Sequence, residues 1–311
     1  MTAQKEIRDG IGEGLLQAGI DNVDVVALAA DLTKSVGFNL FKDKFPERFF
    51  QTGVAEQNMT GIAAGLALSG KIPFTGSFAV FSPGRNWDQL RVSICLSEAN
   101  VKIIGSHAGF SNAPDGASHQ ALEDIALTRV LPNLTVIVPA DAKQATEIVI
   151  EAAKHRGPVY IRSFKGKAPA LIPDTSVFEI GKAQVLTEGH DLTLITNGPI
   201  LNEVLIAAKN LKENYHIHTE VINCHTVKPL DMKTILASAL KTRKVLTVEE
   251  HQVAGGLGSA IAEQLCEHPV LMKIMGVDDL FGESGTRAQL LEKHGLSSIH
   301  IELEAKNLYH K

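Results

Sequence analysis

The chain has 311 residues, with 44% hydrophobic, 21% charged and 5% aromatic residues and a formal net charge of −5. That length suits about two domains. The absence of any long basic run argues against a nucleic-acid partner, and no apolar stretch approaches the length of a membrane span. The N-terminus, MTAQKEIRDG, lacks an apolar signal core, so the expected location is cytoplasmic. Cys95, Cys224 and Cys266 lie far apart without metal-ligand spacing and are expected to be buried, reduced thiols.

In chain order, residues 5–18 predict a helix, and VDVVALAAD (23–31) predicts a fully buried parallel strand ending at an acid. MTGIAAGLALSG (59–70) predicts a small-residue helix with Gly70 at its C-terminus. KIPFTGSF (71–78) is a strand, residues 86–97 a helix and NVKIIGSH (100–107) a strand. The turn-rich loop AGFSNAPDGASHQ follows, then a helical ALEDIALTRV. LTVIVPAD (134–141) is a strand leading to a helix capped by Asp141, and PVYIRS (158–163) is a further strand.

Residues 164–180 carry Gly166, Pro169 and Pro173 and read as a linker. A second series follows: DLTLITNG, a helix from Pro199, HIHTEVINC, a helix from Asp231, KVLTVEE, a helix from Gly258, and LMKIMGV. The expected fold is therefore α/β, with two doubly wound α/β domains covering residues 1–170 and 171–311.

Open α/β sheets bind ligands beyond the carboxyl ends of their strands. Asp31, Phe78, Phe81, His107 and Arg162 all fall at such ends, which points to one site. Glu56, in GVAEQNM (53–59), opens a helix between apolar and glycine-rich flanks, where a carboxylate is either a favourable first-turn charge or a buried functional group. A phenylalanine is usually core, and a lone loop histidine usually surface. His107, Asp115 and His119 nonetheless share one loop around a glycine turn, between a strand end and a helix, and are less easily dismissed as surface. Ser118 is a candidate cap for the following helix, with His119 as an alternative.

GVAEQNM followed by TGSFAVF resembles the pyrimidine-binding domain of thiamine-diphosphate enzymes. PDGASHQALEDIALTRVLPNLTVIVPAD resembles transketolases and deoxyxylulose-phosphate synthase, and VEEHQVAGGLGSAIAEQL resembles their C-terminal domain. The resemblance implies that Glu56 hydrogen-bonds the aminopyrimidine ring, with Phe78 and Phe81 packed around it and Asp31 and Leu32 approaching from across a subunit interface. It implies that His107 and His119 touch sugar or cofactor and that Asp115 reads a sugar hydroxyl. Ser35, Arg162 and Lys165 would meet the sugar phosphate, and Lys5 stands roughly where the family has another cation. SPGRNWDQLR replaces an aromatic segment common in transketolases, so the pocket edge differs around Gly84, Arg85 and Trp87.

The family holds the cofactor diphosphate through Mg²⁺ on a Gly-Asp-Gly motif, which this sequence lacks. The implied partner is a separate N-terminal transketolase subunit carrying the diphosphate and Mg²⁺, with two copies of each chain in a heterotetramer. EEHQVAGGLGS (249–259) has the form of a glycine-rich anion loop before a helix, although in this family its domain mainly supports dimerisation. The implied reaction is transfer of a two-carbon ketol unit from a ketose phosphate to an aldose phosphate. The alternatives are half of a deoxyxylulose-phosphate synthase, a 2-oxo acid dehydrogenase β subunit, or a non-catalytic scaffold. Two histidines in the PDGASHQ loop region favour a sugar.

Overall fold

The computed structural model describes residues 4–311. Two mostly parallel sheets carry the chain, as α/β patterning predicts. In the larger sheet, the order across its seven strands is Thr226–Lys228, Thr135–Ile137, Val159–Arg162, Lys102–Ser106, Ile72–Phe78, Val25–Ala29 and Phe49–Gln51. The central strands are apolar and buried along nearly their whole length, which is why they read as continuous hydrophobic runs. The second sheet has five strands, in the order Leu271–Val277, Lys244–Gln252, Leu192–Thr196, Thr219–Asn223 and Gln184–Thr187.

The edges depart from expectation. Phe49–Gln51, Thr226–Lys228 and Gln184–Thr187 are short strands of mixed polarity that no apolar run announces. Thr226–Lys228 comes just after a strand of the second sheet in sequence, yet it joins the first sheet antiparallel to Thr135–Ile137. Within the segment read as a linker, Lys167–Ala168 pairs antiparallel with Lys5–Glu6. The first helix therefore starts later than predicted and runs longer, over Ile7–Asp21. The helix at residues 86–97 forms over Trp87–Gln89 and widens into a π-type turn over Leu90–Leu96. Asp141 caps helix Ala142–Lys154 by accepting the Gln144 N–H at 2.8 Å, as its position foretold.

Cys95 and Cys224 are buried, and burial pushes their thiols up to about 11 and about 12. Cys266 is exposed, contrary to the expectation. Helix Leu257–Leu265 ends immediately before it, so the apolar helical pattern stops short of this residue. Among the described residues, no helix is long and apolar enough to cross a membrane.

Helix Ile7–Asp21 lies directly on helix Ala142–Lys154, and its glycines make the close approach possible. A Cβ on Gly10 would stand 2.0 Å from the Ala142 carbonyl oxygen, and one on Gly14 would stand 2.8 Å from that of Thr146. Since backbone cannot retreat as a flexible side chain can, Gly10→Ala is expected to destabilise the chain by about 1–3 kcal/mol, as overpacking does. Urea denaturation measures this, and an unchanged midpoint would contradict the helix contact.

Candidate functional site

Strand Ile72–Phe78 and helix Glu56–Leu68 pack together and bring the first group into place. Glu56 opens that helix and is 3% exposed. Ser77 Oγ donates to its Oε1 at 2.9 Å, and Arg85 Nη1 donates to its Oε2 at 3.2 Å. The Arg85 guanidinium carbon also lies 3.9 Å from the centroid of the Phe81 ring. Phe81 stacks beside Phe78 at 5.9 Å, and Phe78 stacks on the His107 ring at 4.0 Å. The His119 ring meets Phe81 edge-on at 5.3 Å. Thus Glu56, Phe78, Phe81, His107 and His119 form one continuous patch at the strand ends.

His107 follows strand Lys102–Ser106 with φ 60°, a left-handed backbone that few non-glycine residues adopt. It is buried, with Nδ1 2.9 Å from the Ser106 hydroxyl. Burial is the main cause that lowers its imidazole to about 3, Lys165 and Arg8 add repulsion, and Asp115 opposes them. These charges therefore surround the same ring. Asn112 links two of them, accepting from Lys165 Nζ at 3.3 Å and donating to Asp115 Oδ2 at 2.8 Å. Asp115 and Lys165 are exposed at the mouth.

Asp31 also has a left-handed backbone, φ 61°, at the end of strand Val25–Ala29. Its N–H donates to Gln51 Oε1 at 2.7 Å, while its side chain is exposed. Leu32, partly buried, and Ser35 follow on the same side of the sheet edge. Among the described residues, no hydrogen bond or ring contact joins Asp31, Leu32 or Ser35 to the aromatic patch.

Arg162 requires a correction. It is 0% exposed and cannot meet a phosphate at the mouth. Side chains two residues apart share a strand face, so Arg162 points with Tyr160 toward Asp124. Arg162 Nε donates to Asp124 Oδ2 at 2.9 Å, and the Tyr160 hydroxyl donates to the same oxygen at 2.8 Å. Lys5 is likewise engaged elsewhere, with Glu13 at 2.5 Å. Strand pairing of Lys5–Glu6 with Lys167–Ala168 instead carries the half-buried Arg8 toward the Lys165 side of the site, where its guanidinium pairs with Glu6 at 2.5 Å. Ser118 does not cap a helix and bonds His119 Nδ1 at 2.9 Å, and the next helix begins only at Asp124.

Sequence reasoning missed Ser77, Arg8 and the pairing of Arg85 with Glu56. Ser77 alternates with Phe78 along the strand and so could have been assigned to the Glu56 side. Nothing local announces Arg8. Trp87 is explained by packing, with its indole N–H donating to the Leu127 carbonyl at 2.7 Å. The glycine-rich turn at 249–259 is filled by the protein's own carboxyl. Glu249 accepts the N–H groups of Leu257 and Gly258 at 2.7 and 2.8 Å, which occupies that helix start.

A buried carboxyl beside two half-buried aromatic rings and two imidazoles fits an aminopyrimidine, which needs a partner at a ring nitrogen and apolar cover on its faces. Among the described residues, no group of three or more His, Cys, Asp or Glu side chains could hold a metal ion. The depressed imidazole also sets a pH dependence. An unfolded His107 gains a proton near 6.5 and the folded one only near 3, so its contribution to stability is present above pH 6.5 and lost as pH falls toward 3. His107→Asn tolerates the left-handed backbone and is expected to flatten this acid limb. Urea midpoints at pH 7 and pH 5 in both proteins measure it, and equal acid sensitivity would contradict the burial.

Comparison with known proteins identifies the family. Residues 3–169 match the family described as "Transketolase, pyrimidine binding domain", and residues 181–301 match "Transketolase, C-terminal domain". A "Putative transketolase C-terminal section" of Methanocaldococcus jannaschii is 42% identical, covering 96% of this chain and 94% of that protein. The "6-deoxy-6-sulfo-D-fructose transketolase subunit SqwH" of a Clostridium species is 41% identical over 95% of this chain and 92% of its own length. An apulose-4-phosphate transketolase subunit of Phocaeicola vulgatus is 34% identical over 93% of each chain. A solved structure described as "Split gene transketolase, inactive beta4 tetramer" superposes with a TM-score of 0.91 at 46% identity, covering 98% of both chains. The Campylobacter jejuni transketolase shares the fold, with a TM-score of 0.84 at 23% identity over 98% of this chain and 47% of that one. With both halves matched in order, the chain belongs to the transketolase family and corresponds to its C-terminal section.

Proposed function

We propose that the chain is one subunit of a two-subunit transketolase that moves a two-carbon ketol unit from a ketose phosphate to an aldose phosphate. The observation that carries this is the buried Glu56 carboxyl facing the same patch as Phe78, Phe81, His107 and His119. Thiamine diphosphate, when bound, supplies the electron sink for the transferred unit. Glu56 holds the aminopyrimidine nitrogen and moves a proton there. Phe78 and Phe81 cover the ring and exclude water. His107, neutral because its pKa is depressed to about 3, and His119 offer ring nitrogens to the sugar. Asp115 accepts a sugar hydroxyl, and Asn112 keeps its carboxylate in place. Lys165 and Arg8 supply positive charge for the phosphate, with Ser35 from the neighbouring strand end.

The partner in this reading is an N-terminal subunit that holds the diphosphate and Mg²⁺. Relatives named as a C-terminal section and as a split-gene transketolase support that division. Asp31 and Leu32, exposed or partly buried away from the aromatic patch, approach the cofactor from a second copy. Helix Glu56–Leu68 presents Gly61, Ile62, Gly65 and Leu68 outward, and both glycines open onto empty space. A face so small and apolar suits close helix packing between copies, giving a heterotetramer of two chains of each kind. The division of the chain near residue 170, a cytoplasmic location and a place in pentose phosphate metabolism belong to the same reading. Relatives named for sulfofructose and apulose phosphate leave the sugar pair to be found by assay.

Reconstitution tests the proposal. The chain is combined with an N-terminal subunit carrying Gly-Asp-Gly, thiamine diphosphate and Mg²⁺, then assayed with xylulose 5-phosphate and ribose 5-phosphate. Activity is expected only with both subunits, and Glu56→Gln should lower kcat on the order of 100- to 10,000-fold. Lys165→Ala should raise KM for the sugar phosphate and leave cofactor binding unchanged. Turnover of pyruvate with glyceraldehyde 3-phosphate alone would identify a deoxyxylulose-phosphate synthase instead. Full activity without a partner would refute the two-subunit reading.

A further inference from the structure

The loop that carries Asp115 and His119 does not rest on its own domain alone. Phe110 and Ala113, from that loop, and Leu122, just after it, are buried in the apolar core of the second sheet. Phe110 is 0% exposed and its ring stacks on His294 at 4.9 Å. The segment Gly282–Gly285 closes over the loop from the same side. Gln120 Nε2 donates to the Glu283 carbonyl at 2.9 Å, and the Gly285 N–H donates to the Ala113 carbonyl at 3.2 Å.

At the centre of this contact is Glu250, 1% exposed near the end of strand Lys244–Gln252. Its Oε1 accepts the Phe110 N–H at 2.7 Å across 140 positions of sequence. Its Oε2 accepts Arg287 Nη2 at 2.6 Å and Nε at 3.2 Å. Its carbonyl oxygen accepts Arg162 Nη2 at 2.9 Å. Gly109 has φ 59°, and a Cβ there would lie 2.8 Å from Glu250 Oε1, so the backbone has been brought against the carboxylate. Two residues before that glycine stands His107.

We propose that Glu250, held by Arg287, is a positioning residue: it clamps the backbone at Gly109–Phe110 and thereby sets His107, Asp115 and His119 for the sugar. The clamp is charge-assisted on both sides, and such bonds are shorter and roughly twice as strong as neutral ones. The C-terminal half thus takes part in substrate binding without touching the substrate. This rests on the reading of those three residues as sugar-facing.

Hydrogen exchange on the chain without its partner tests the clamp first. Glu250→Gln keeps the shape and removes the charge. Exchange in peptides spanning 107–120 is expected to quicken about tenfold, which corresponds to about 1.4 kcal/mol, with strand Ile72–Phe78 unchanged as the internal control. Arg287→Met leaves the carboxylate without its guanidinium and serves if Glu250→Gln fails to fold. In the assembled enzyme, KM for the sugar phosphate is expected to rise about tenfold, with thiamine diphosphate affinity unmoved. Unchanged exchange in both folded variants overturns the clamp. Faster exchange with KM unmoved, or KM and cofactor affinity weakened together, overturns its role in substrate positioning. A wild-type assembly without ketol transfer would instead refute the reaction proposed above, and exchange alone then decides the clamp.

Discussion

A guanidinium with no exposure ties the two sheets together. Arg162 ends the strand Val159–Arg162, bonds both oxygens of Asp124, and reaches the carbonyls of Ala121 and Glu250. Taking both charges out of water is costly, and removing one partner of such a pair typically costs about 3–5 kcal/mol. The surrounding sequence accommodates that demand. Tyr160 adds its hydroxyl to Asp124, and Gly105 on the adjacent strand leaves room for the tyrosine, since a Cβ there would lie 2.1 Å from the hydroxyl oxygen. The base of the His107–Ala121 loop hangs from this junction. The loop from His107 to Ala121 is closed at its base by the Gly109 N–H bond to the Ala121 carbonyl, and Arg162 grips that same carbonyl.

The parallel strands were legible because burial on both faces leaves an unbroken apolar run, as in Val25–Ala29. The edge strands were not, because a strand of two to four residues with one open side carries no comparable pattern. The same distinction runs through the candidate site. Glu56, Phe78, Phe81, His107 and His119 cluster because each sits near a strand end, at a helix start or in the loop between, and such positions can be read in order along the chain. Arg162 sits at a strand end as well, yet its direction depends on a partner 38 residues earlier. No local pattern gives that direction. Arg8 is brought in by a two-residue strand pair, which sequence reading cannot see. Glu249 filled its own glycine-rich turn, so a motif that looks open to an anion was already satisfied within the fold.

Two arginine–carboxylate pairs show how exposure separates scaffold from site. Asp124 and Arg162 are 1% and 0% exposed, so neither can exchange its partner for water. That pair is a fixed part of the fold. The Glu56 side chain is just as buried at 2%, but that of Arg85 is 48% exposed and only one of its nitrogens reaches the carboxylate. Arg85 regains hydration on leaving, but the desolvated Glu56 oxygen then needs another donor. Ser77 holds the other Glu56 oxygen from within the strand at 2.9 Å. Glu56 is thus a buried acid with one buried partner and one half-solvated partner. A carboxyl that must meet a ring nitrogen needs an oxygen that is oriented by the protein yet available to a ligand. The Asp124 pair, buried with its partners Arg162 and Tyr160, cannot meet that requirement, and the Glu56 pair does.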